Sequence, residues 1–231
     1  MPSQPKNTKY LQFRLTFLCP IVPKRILLVP KLSARSLSTM HNLRYLWCQY
    51  FLIILKVLLG EAKLQVVIQR LAHQLLENNS HPSNLALIGL QPRGVPFANR
   101  IHAQLSEQLG RHVVSYGKLD ITLYRDDHAS SDEIKVPAET DINFSIEGKD
   151  VVLIDDVLYT GRSIRSALDA LIDFGRPNSV QLMVLIDRRF RRELPIQANY
   201  VGLSVDTIVG HKVKVQWKET SKQDQVILLD N

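Results

Sequence analysis

The sequence predicts an α/β fold in which a mostly parallel, twisted sheet carries helices on both faces. The first observation is that apolar runs of strand length alternate along the chain with amphipathic segments of helical period. The second is that these apolar runs are nearly continuous, as expected of strands buried on both faces. The third is that no internal repeat or low-complexity run is present, so a repeat architecture is not indicated.

The positive charge of the chain is concentrated in its N-terminal quarter. The 231 residues carry a formal net charge of +7, but residues 1–60 hold nine Lys or Arg and no Asp or Glu. The remainder holds 20 basic against 22 acidic residues, a net charge of −2. The overall basicity is therefore no argument for a nucleic-acid partner of the remaining residues.

Residues 1–55 differ in composition from residues 56–231, which we predict to be one domain. Prolines interrupt the short apolar runs of this extension, and no period would bury a face. We expect a translation start assigned too far upstream, or a disordered segment. One alternative is an organellar presequence, because the segment lacks acids and contains Arg and Ser. Another is a transmembrane helix in LWCQYFLIIL, but that run is shorter than the roughly 18–20 residues a span needs, so no membrane association is predicted.

Both cysteines of the chain, Cys19 and Cys48, lie in the extension. The predicted domain therefore has neither a disulfide framework nor a thiolate metal site. From this cysteine usage we expect an intracellular, cytoplasmic protein.

The first part of the predicted domain contains a helix, a strand and a second helix. LQVVIQRLAHQLLENN has apolar residues at helical spacing, and Asn79 and Pro82 then favour a stop. LALIGL, residues 85–90, predicts a buried strand, and the next helix ends at Gly110. The apolar positions that predict the helices are Leu64, Val67, Ile68, Leu71 and Leu75 in the first, and Phe97, Ile101, Leu105 and Leu109 in the second.

The second part adds β-rich runs, a loop and a third helix. HVVSYGKLDITLYRDD contains two short β-rich runs, and the polar residues 129–143 predict a mobile loop. Residues 151–154 and 179–187 predict buried strands, with a helix between them that begins near Ser163 and ends at Gly175. KVKVQW near the C terminus is interpreted as sheet edge and packing. The apolar face of the third helix is predicted to consist of Ile164, Ala167, Leu168, Leu171 and Ile172.

Three polar segments directly follow predicted strands. They are QPRG after Leu90, DDVLYTGRS after Ile154 and DRR after Ile186. Because ligands of open α/β sheets bind outside the carboxyl ends of the strands, we expect the three segments to lie near one another.

The second of these segments predicts a phosphate site. Residues 160–163, TGRS, precede a helix, so backbone N–H groups, hydroxyls and the helix dipole can together hold a phosphate. The segment is neither a Walker A loop nor a dinucleotide-binding glycine turn. Asp155 and Asp156 suit the vicinal hydroxyls of a ribose whose 5-phosphate occupies the loop. The alternative is that the two carboxylates only solvate the end of a strand.

This combination resembles the phosphoribosyltransferase signature, in which two acids follow a hydrophobic strand and a T-G loop opens a helix. The resemblance implies phosphoribosyl pyrophosphate (PRPP) as a ligand. QPRG is similar to the family's pyrophosphate-binding loop, where Arg93 would neutralise the leaving group and Gly94 would let the backbone come close. The residues implied to bind PRPP are Arg93, Gly94, Asp155, Asp156, Val157, Leu158, Tyr159, Thr160, Gly161, Arg162 and Ser163.

Three longer segments, LDITLYRDD, IDDVLYTGRSIRSALDAL and RELPIQANYVG, resemble the PyrR family of pyrimidine operon attenuation proteins with uracil phosphoribosyltransferase activity. The resemblance covers about Lys56 to the C terminus. It implies a type I phosphoribosyltransferase fold, Mg²⁺ as cofactor and a homodimer or higher homo-oligomer. The implied reaction converts uracil and PRPP to UMP and pyrophosphate.

The resemblance also implies roles for individual residues. The implied catalytic residues are Asp155, Asp156, Arg93 and Arg125, with the two aspartates acting on the metal only indirectly. The implied flexible loop contains Tyr124, Arg125, Asp126 and Asp127, and the base is placed near Ile186, Asp187 and Arg188.

A second implied activity is binding of a pyrimidine-gene leader mRNA, strengthened by UMP or UTP. The matching basic positions are Arg70, His73, Arg188, Arg189, Arg191 and Arg192. The chain departs from the family at Arg189 and Phe190, where the family has G-H and one residue fewer, and at Gln197 and Leu203, where the family has basic residues. Lost basic residues remove phosphate contacts.

Several alternatives remain open from the sequence. The arginine cluster is either an RNA surface, a solvated face or a dimer contact. The chain is either an enzyme of pyrimidine salvage that also regulates, or a nucleotide-sensing RNA-binding attenuator with little catalysis. A phosphoribosyltransferase for another base, a purine or orotate, shares the same sugar-phosphate loops.

Overall fold

The computed structural model describes residues 55–110, 113–125, 137–207 and 211–229. The predictions made for residues 1–54 therefore fall outside the described residues. So do those for Asp126, Asp127 and the larger part of the loop predicted over residues 129–143.

The described residues form three α-helices and eight strands. The helices are α1 Glu61–Asn78, α2 Gly94–Leu109 and α3 Arg162–Leu171. The strands are β1 Leu55–Leu59, β2 Leu85–Leu90, β3 Ser115–Leu119, β4 Asp150–Leu158, β5 Ser179–Arg189, β6 Tyr200–Asp206, β7 Lys212–Gln216 and β8 Gln225–Leu229.

The main sheet has five parallel strands in the order β3-β2-β4-β5-β6. This confirms the predicted parallel α/β architecture. The chain builds outward from β2 to β3 on one side and from β4 through β5 to β6 on the other. The order therefore reverses between β2 and β4, and the crevice beside such a reversal is where α/β sheets bind ligands.

The helices cover both faces of this sheet, as predicted. Neighbouring residues of a strand point to opposite faces, so Val152 and Ile154 join the core beneath α1 and α2, whereas Val151 and Leu153 join the core beneath α3. All four side chains are fully buried. The near-continuous apolar runs of the sequence are thus explained by burial on two sides.

A second, three-stranded antiparallel sheet has the order β1-β8-β7. KVKVQW was predicted to be a sheet edge with a packing role, and β7 is an edge strand of this sheet while Trp217 is 4% exposed. Strands β1, β6 and β8 were not predicted. The partners of β1 in β8 lie about 170 residues away, and local sequence patterns contain no signal for such a distant pairing.

Some predicted details are wrong. The second β-rich run is a 3₁₀ turn, Thr122–Tyr124, because its apolar side chains include the exposed Leu123. On α3, Leu168 and Ile172 are 40% and 75% exposed, and Ser166 and Ala170 are buried instead. The strands predicted to end at Ile154 and Asp187 continue to Leu158 and Arg189, so part of each predicted loop is strand. No helix among the described residues is long and apolar enough to cross a membrane.

A candidate active site at the carboxyl edge of the sheet

A cleft of about 880 Å³ opens where β2, β4 and β5 end. The three polar segments expected to meet there all contribute to its walls. Residues from the start of β7 close it on another side. The lining residues are Leu90, Gln91, Pro92, Arg93, Ile121, Thr122, Arg125, Asp155, Asp156, Val157, Leu158, Tyr159, Thr160, Gly161, Arg162, Ser163, Ile164, Arg188, His211, Lys212 and Val213.

The two adjacent carboxylates stand at the end of β4. Asp156 is 8% exposed, and its backbone N–H donates to Oδ1 of Asp155 at 2.9 Å. Burial, and secondly the neighbouring Asp156 carboxylate, raise the pKa of Asp155 to about 8. Burial also raises the pKa of Asp156, against the opposing effect of Arg93. Without a ligand, the pair is therefore held in an environment that disfavours two negative charges.

The predicted phosphate cradle forms the N-terminal end of α3. Gly161 has φ of 95°, the left-handed region that glycine adopts without steric penalty. The N–H of Arg162 donates to Oγ1 of Thr160 at 3.4 Å. The carbonyl of Thr160 accepts from the N–H groups of Glu193 and Leu194 at 3.0 and 3.2 Å. The segment after β5 therefore braces the turn and leaves the helix N terminus directed at the cleft.

Two arginines beside the cradle are engaged with the protein itself. Nε of Arg162 lies 2.8 Å from the Glu193 carboxylate. Arg192 donates to the carbonyl of Tyr159 at 2.6 Å and to Oδ1 of Asp187 at 2.5 Å. The cradle therefore offers a phosphate its backbone N–H groups and hydroxyls, while these guanidinium groups hold the loop in place.

The loop after β2 presents Gln91, Pro92 and Arg93 to the cleft, and the Gln91–Pro92 peptide bond is cis. Gly94 lies behind them. A Cβ on Gly94 would stand 2.4 Å from the carbonyl oxygen of Ile154 and 3.0 Å from Cα of Asp155. Glycine is therefore required here for the close packing of α2 on β4, while the approach of its backbone to a ligand stays a prediction.

Arg125 reaches the cradle from the segment after β3. Its Nη1 donates to Oγ of Ser163 at 3.3 Å. Tyr124, predicted to belong to the same loop, does not line the cleft, and its hydroxyl bonds Asp173 on the outer surface. Asp126 and Asp127 lie outside the described residues. Of the two predicted loop residues that the structure describes, Arg125 lies at the site and Tyr124 does not.

Arg188 is the one residue of the predicted base pocket that lines the cleft. It is 8% exposed, and its guanidinium stacks 3.9 Å from the ring centre of Tyr159. Its Nε donates to Oγ1 of Thr207 at 3.2 Å, and its Nη2 donates to the carbonyl of His211 at 2.7 Å. Burial lowers the pKa of Arg188. Its planar cation is thus fixed between the ends of β5 and β6 and the start of β7.

The other two predicted base-pocket residues do not line the cleft. Ile186 is fully buried in the core, and Asp187 is paired with Arg192. His211, Lys212 and Val213, at and just before the start of β7, also line the cleft and were not predicted to do so. The available signal was the KVKVQW run, which predicts a strand but not its position beside the site.

The residues predicted to bind RNA are mostly engaged within the fold. Arg70 donates to the carbonyls of Val201 and Gly202 at 3.0 and 2.7 Å. Arg189 forms a two-bond ion pair with Asp206 at 2.8 and 3.1 Å. The guanidinium of Arg188 faces the cleft and contributes nothing to an outer surface. The ring of His73 lies 3.5 Å from Gln108, and Arg191 is half-buried.

Together these groups combine recognition elements for an anionic sugar phosphate. Backbone N–H groups at a helix N terminus favour a phosphate. The carboxylates can accept hydrogen bonds from hydroxyl groups, and Arg93, Arg125 and Lys212 add positive charge around the same space. No group of three or more His, Cys, Asp or Glu suited to hold a metal by itself occurs in the part of the chain that the structure describes.

Comparison with known proteins identifies related sequences and folds. The family model for the phosphoribosyl transferase domain matches residues 59–220. A protein of Pelotomaculum thermopropionicum named bifunctional protein PyrR is 47% identical over 161 residues, which is 70% of this chain and 88% of that protein. The protein of the same name in Bacillus subtilis is 43% identical over 178 residues, 76% of this chain and 97% of that protein.

Solved structures resemble the fold at lower identity. A hypoxanthine phosphoribosyltransferase from Staphylococcus aureus is 27% identical, with a TM-score of 0.52 over 65% of this chain and 77% of that one. A hypoxanthine phosphoribosyltransferase from Trypanosoma cruzi matches with a TM-score of 0.58 over 76% of this chain and 91% of that one, at 19% identity. The match to the Trypanosoma cruzi structure shows a similar fold only.

Proposed function

The chain belongs to the PyrR family of phosphoribosyltransferases, and from this premise we propose that it transfers the phosphoribosyl group of PRPP to uracil. The products are UMP and pyrophosphate. The observation that supports this best is the adjacency of Asp155 and Asp156 to the phosphate cradle at the N terminus of α3. A ribose 5-phosphate needs both groups at this spacing, because its phosphate and its vicinal hydroxyls are held at once.

PRPP is held by three parts of the cleft. The cradle, residues 160–163, binds the 5-phosphate through N–H groups and hydroxyls. Asp155 and Asp156 accept from the 2- and 3-hydroxyls of the ribose. Arg93 stands beside the pyrophosphate, and Arg125 lines the same cleft next to the cradle, so that both cations reduce the negative charge of the leaving group.

The residues of the site fit Mg²⁺ brought in with the substrate. Mg²⁺ is usually held by one or two carboxylates together with substrate phosphates and water, and the carboxylate pair at the end of β4 is such a partial donor set. Asp155 and Asp156 would hold the ion, indirectly through the ribose hydroxyls or water. When bound, the ion supplies charge neutralisation to the pyrophosphate.

The protein has little covalent chemistry to perform in the transfer step. The N1 atom of uracil forms a bond to C1 of the ribose while the bond from C1 to the pyrophosphate oxygen breaks, and the N1 proton leaves to solvent. Positive charge grows on the sugar ring, close to the carboxylates of β4. Holding both substrates in one cleft makes the encounter effectively intramolecular.

The experiment that tests this proposal compares carboxylate variants in PRPP-dependent UMP formation. Asp155→Asn and Arg93→Ala each abolish measurable turnover while circular dichroism and thermal unfolding remain those of a folded protein. Asp169→Asn is the matched control, because Asp169 is exposed on α3, does not line the cleft and forms an exposed ion pair with Arg165. Unchanged turnover in Asp155→Asn would refute the assignment of the cleft.

The relatives are named bifunctional, and we further propose that the chain binds a pyrimidine-gene leader RNA more tightly when UMP or UTP occupies the cleft. His73 on the outer face of α1 and Arg191 after β5 are the residues that favour this role. Electrophoretic or fluorescence titrations with leader and scrambled RNA, with and without UMP, test it. Loss of leader binding in His73→Ala with Arg191→Ala is expected, and equal binding to both RNAs would contradict the proposal.

We also propose that the protein works as a homodimer or larger homo-oligomer in the cytoplasm. A phosphoribosyltransferase for a purine base is the alternative supported by the S. aureus neighbour. The PyrR identity of 43–47% over most of each relative favours uracil over that alternative.

A further inference from the structure

We propose that Asp120, at the end of β3, is a positioning residue for phosphoribosyl transfer: its carboxylate fixes the turn that presents Arg125 to the phosphate cradle. Asp120 does not line the cleft, whereas Ile121, Thr122 and Arg125 do. It therefore acts through its neighbours. The inference rests on the proposed transfer reaction.

The carboxylate of Asp120 ties two separate chain segments together. Its Oδ1 accepts from the backbone N–H of Thr122 at 3.0 Å and from the Thr122 hydroxyl at 2.6 Å. Its Oδ2 accepts from the backbone N–H of Ala138 at 2.8 Å. One oxygen thus holds the chain where it leaves β3, and the other holds it where it returns toward the sheet.

Asp120 is buried and surrounded by hydrogen bonds. The residue is 9% exposed, and a buried carboxylate is tolerated because all three donors are directed at it. Its own N–H donates to Oγ1 of Thr140 at 3.1 Å. One residue pair further back, the backbones of Lys118 and Asp141 bond each other in both directions at 2.9 Å. The carboxylate is consequently the last of a series of ties between the two segments.

A short path leads from this tie to the cradle. Thr122 opens the 3₁₀ turn Thr122–Tyr124, which is closed by a bond from the N–H of Tyr124 to the carbonyl of Ile121 at 3.1 Å. Arg125 is the next residue, and its Nη1 reaches Oγ of Ser163 at 3.3 Å. Fixing the first residue of the turn therefore fixes the point from which the Arg125 side chain starts. Without the tie, Arg125 would have to be ordered each time PRPP binds.

The proposal is tested by a double-mutant cycle on the full chain. The proteins are wild type, Asp120→Asn, Arg125→Ala and the double variant, and the readouts are kcat and KM for PRPP with uracil and the dissociation constant of Mg-PRPP by calorimetry. Asparagine keeps the shape of the side chain but turns an N–H toward either the Thr122 or the Ala138 donor. Asp141→Asn is the matched control, because Asp141 is a half-exposed neighbour outside the cleft.

Asp120→Asn is expected to lower kcat/KM for PRPP about 10- to 100-fold in the wild-type background, and less than about twofold in the Arg125→Ala background. Asp141→Asn should match wild type. An equal loss in both backgrounds would show that Asp120 is only structural, since independent sites contribute additively. Wild-type activity in Asp120→Asn would overturn the proposal outright.

Two further measurements keep the result interpretable. If Asp120→Asn does not fold, Thr140→Val is used instead, because it removes only the hydrogen bond from the Asp120 N–H to the Thr140 hydroxyl. A several-fold loss of kcat/KM that occurs with Arg125 present, but not in the Arg125→Ala protein, supports the proposal. No loss of kcat/KM contradicts it. If wild type binds PRPP but forms no nucleotide, the transfer reaction is wrong. Asp120 is then judged on PRPP affinity alone, where Asp120→Asn must weaken binding only when Arg125 is present.

Discussion

The adjacent carboxylates at the end of β4 are proposed to bind the ligand, but their burial side by side lowers the stability of the folded protein. The proposed ligand recognition needs both as hydrogen-bond acceptors, yet burial and their proximity raise the pKa of Asp155 to about 8, and burial also raises that of Asp156. An unliganded fold therefore holds protons that the unfolded chain, with carboxyl pKa values near 4, would release. Sites tuned for ligands commonly lower the stability of the empty protein.

This predicts a pH dependence with a definite sign. Because the folded state binds more protons than the unfolded state between about pH 4 and pH 8, the free energy of unfolding contributed by the pair falls as pH rises through that window. Asp155→Asn removes the effect, so its stability relative to wild type should increase from pH 5 to pH 9, by on the order of 1–3 kcal/mol after allowance for solvent in the open cleft. Urea unfolding at pH 5, 7 and 9 measures it.

The control for this experiment is again Asp169→Asn, whose stability difference from wild type should not change with pH. A parallel decline of wild type and Asp155→Asn with rising pH would mean that the carboxylate pair is not strained in the empty protein. Saturation with Mg-PRPP should reduce the difference between the two proteins, because only wild type gains the ligand's binding energy.

Gly94, at the end of the QPRG segment after β2, packs directly against β4. Gly94→Ala places a Cβ against the backbone of Ile154 and Asp155, so α2 must move away from β4. We expect a loss of about 1–3 kcal/mol in unfolding free energy, and a drop in kcat/KM because Arg93 and Asp155 both shift. Gly60→Ala is the control, since nothing lies within 4 Å of a Cβ there. Equal effects of the two variants would contradict the packing role.

At the scale of single elements, the small sheet is attached to the main fold through α2. Arg100 of α2 stacks 4.1 Å above Trp217 and donates to the carbonyl of Pro96 at 2.9 Å. It also pairs with Glu219 at 3.0 Å and with Asp224 at 3.3 Å. The Asp224 side chain is 4% exposed and additionally accepts from the N–H of Lys218 at 2.6 Å. One cation thus connects the helix to the turn between β7 and β8.

Removing this cation should loosen the small sheet. Arg100→Ala leaves the buried carboxylate of Asp224 without its charged partner, so we expect a loss of about 2–4 kcal/mol. Because the carbonyl of His211, next to β7, holds Arg188 of the predicted base pocket, KM for the base should rise more than KM for PRPP. Arg165→Ala, which breaks an exposed pair on α3, should lose less than about 1 kcal/mol. Similar losses in the two variants would exclude the connecting role.

Elements with strong local patterns were predicted well from the sequence, and those formed by distant pairing were not. The spacing of Leu64, Ile68, Leu71 and Leu75 gives α1 because each lies on one helical face, and all four are buried. The antiparallel pairing of β1 with β8 joins segments far apart in the sequence, and neither strand has such a local pattern. The predicted ends of β4 and β5 were wrong because polar residues, Asp155 and Asp156 in β4 and Arg188 and Arg189 in β5, follow the apolar runs, although both strands continue their backbone pairing in the sheet.

The same distinction applies to the candidate site. Asp155, Asp156 and the cradle were predicted to share one site because they are close in sequence and precede a helix, and they do line one cleft. Arg93 was predicted to belong to the site because it follows another strand, β2, at the same edge of the sheet. The internal pairing of Arg162 with Glu193, and the approach of Lys212 from β7, depend on segments that meet only after folding. Cleft residues supplied by one loop are therefore predictable, whereas cleft residues supplied by distant segments require the structure.

At the scale of the whole molecule, one compact unit spans Phe51–Asn231 and contains the family match at residues 59–220. Every residue of the candidate cleft lies within it. We therefore predict that deletion of residues 1–50 leaves kcat and KM unchanged within about twofold. The midpoint of thermal unfolding should stay within a few degrees of the full chain. A variant that also lacks residues 51–60 removes β1 and should be unstable. Loss of activity on deletion of residues 1–50 alone would show that the extension contributes to the enzyme.

The most direct test of the central claim is nucleotide formation by the purified full chain with Mg²⁺ and PRPP, in parallel reactions with uracil, orotate, hypoxanthine and guanine. Formation of UMP from uracil, with at most trace product from the other bases, is the predicted result. Product from hypoxanthine or guanine in place of UMP would contradict the assignment of uracil. Failure of all four bases with PRPP still bound would show that the cleft senses nucleotides without catalysing their formation.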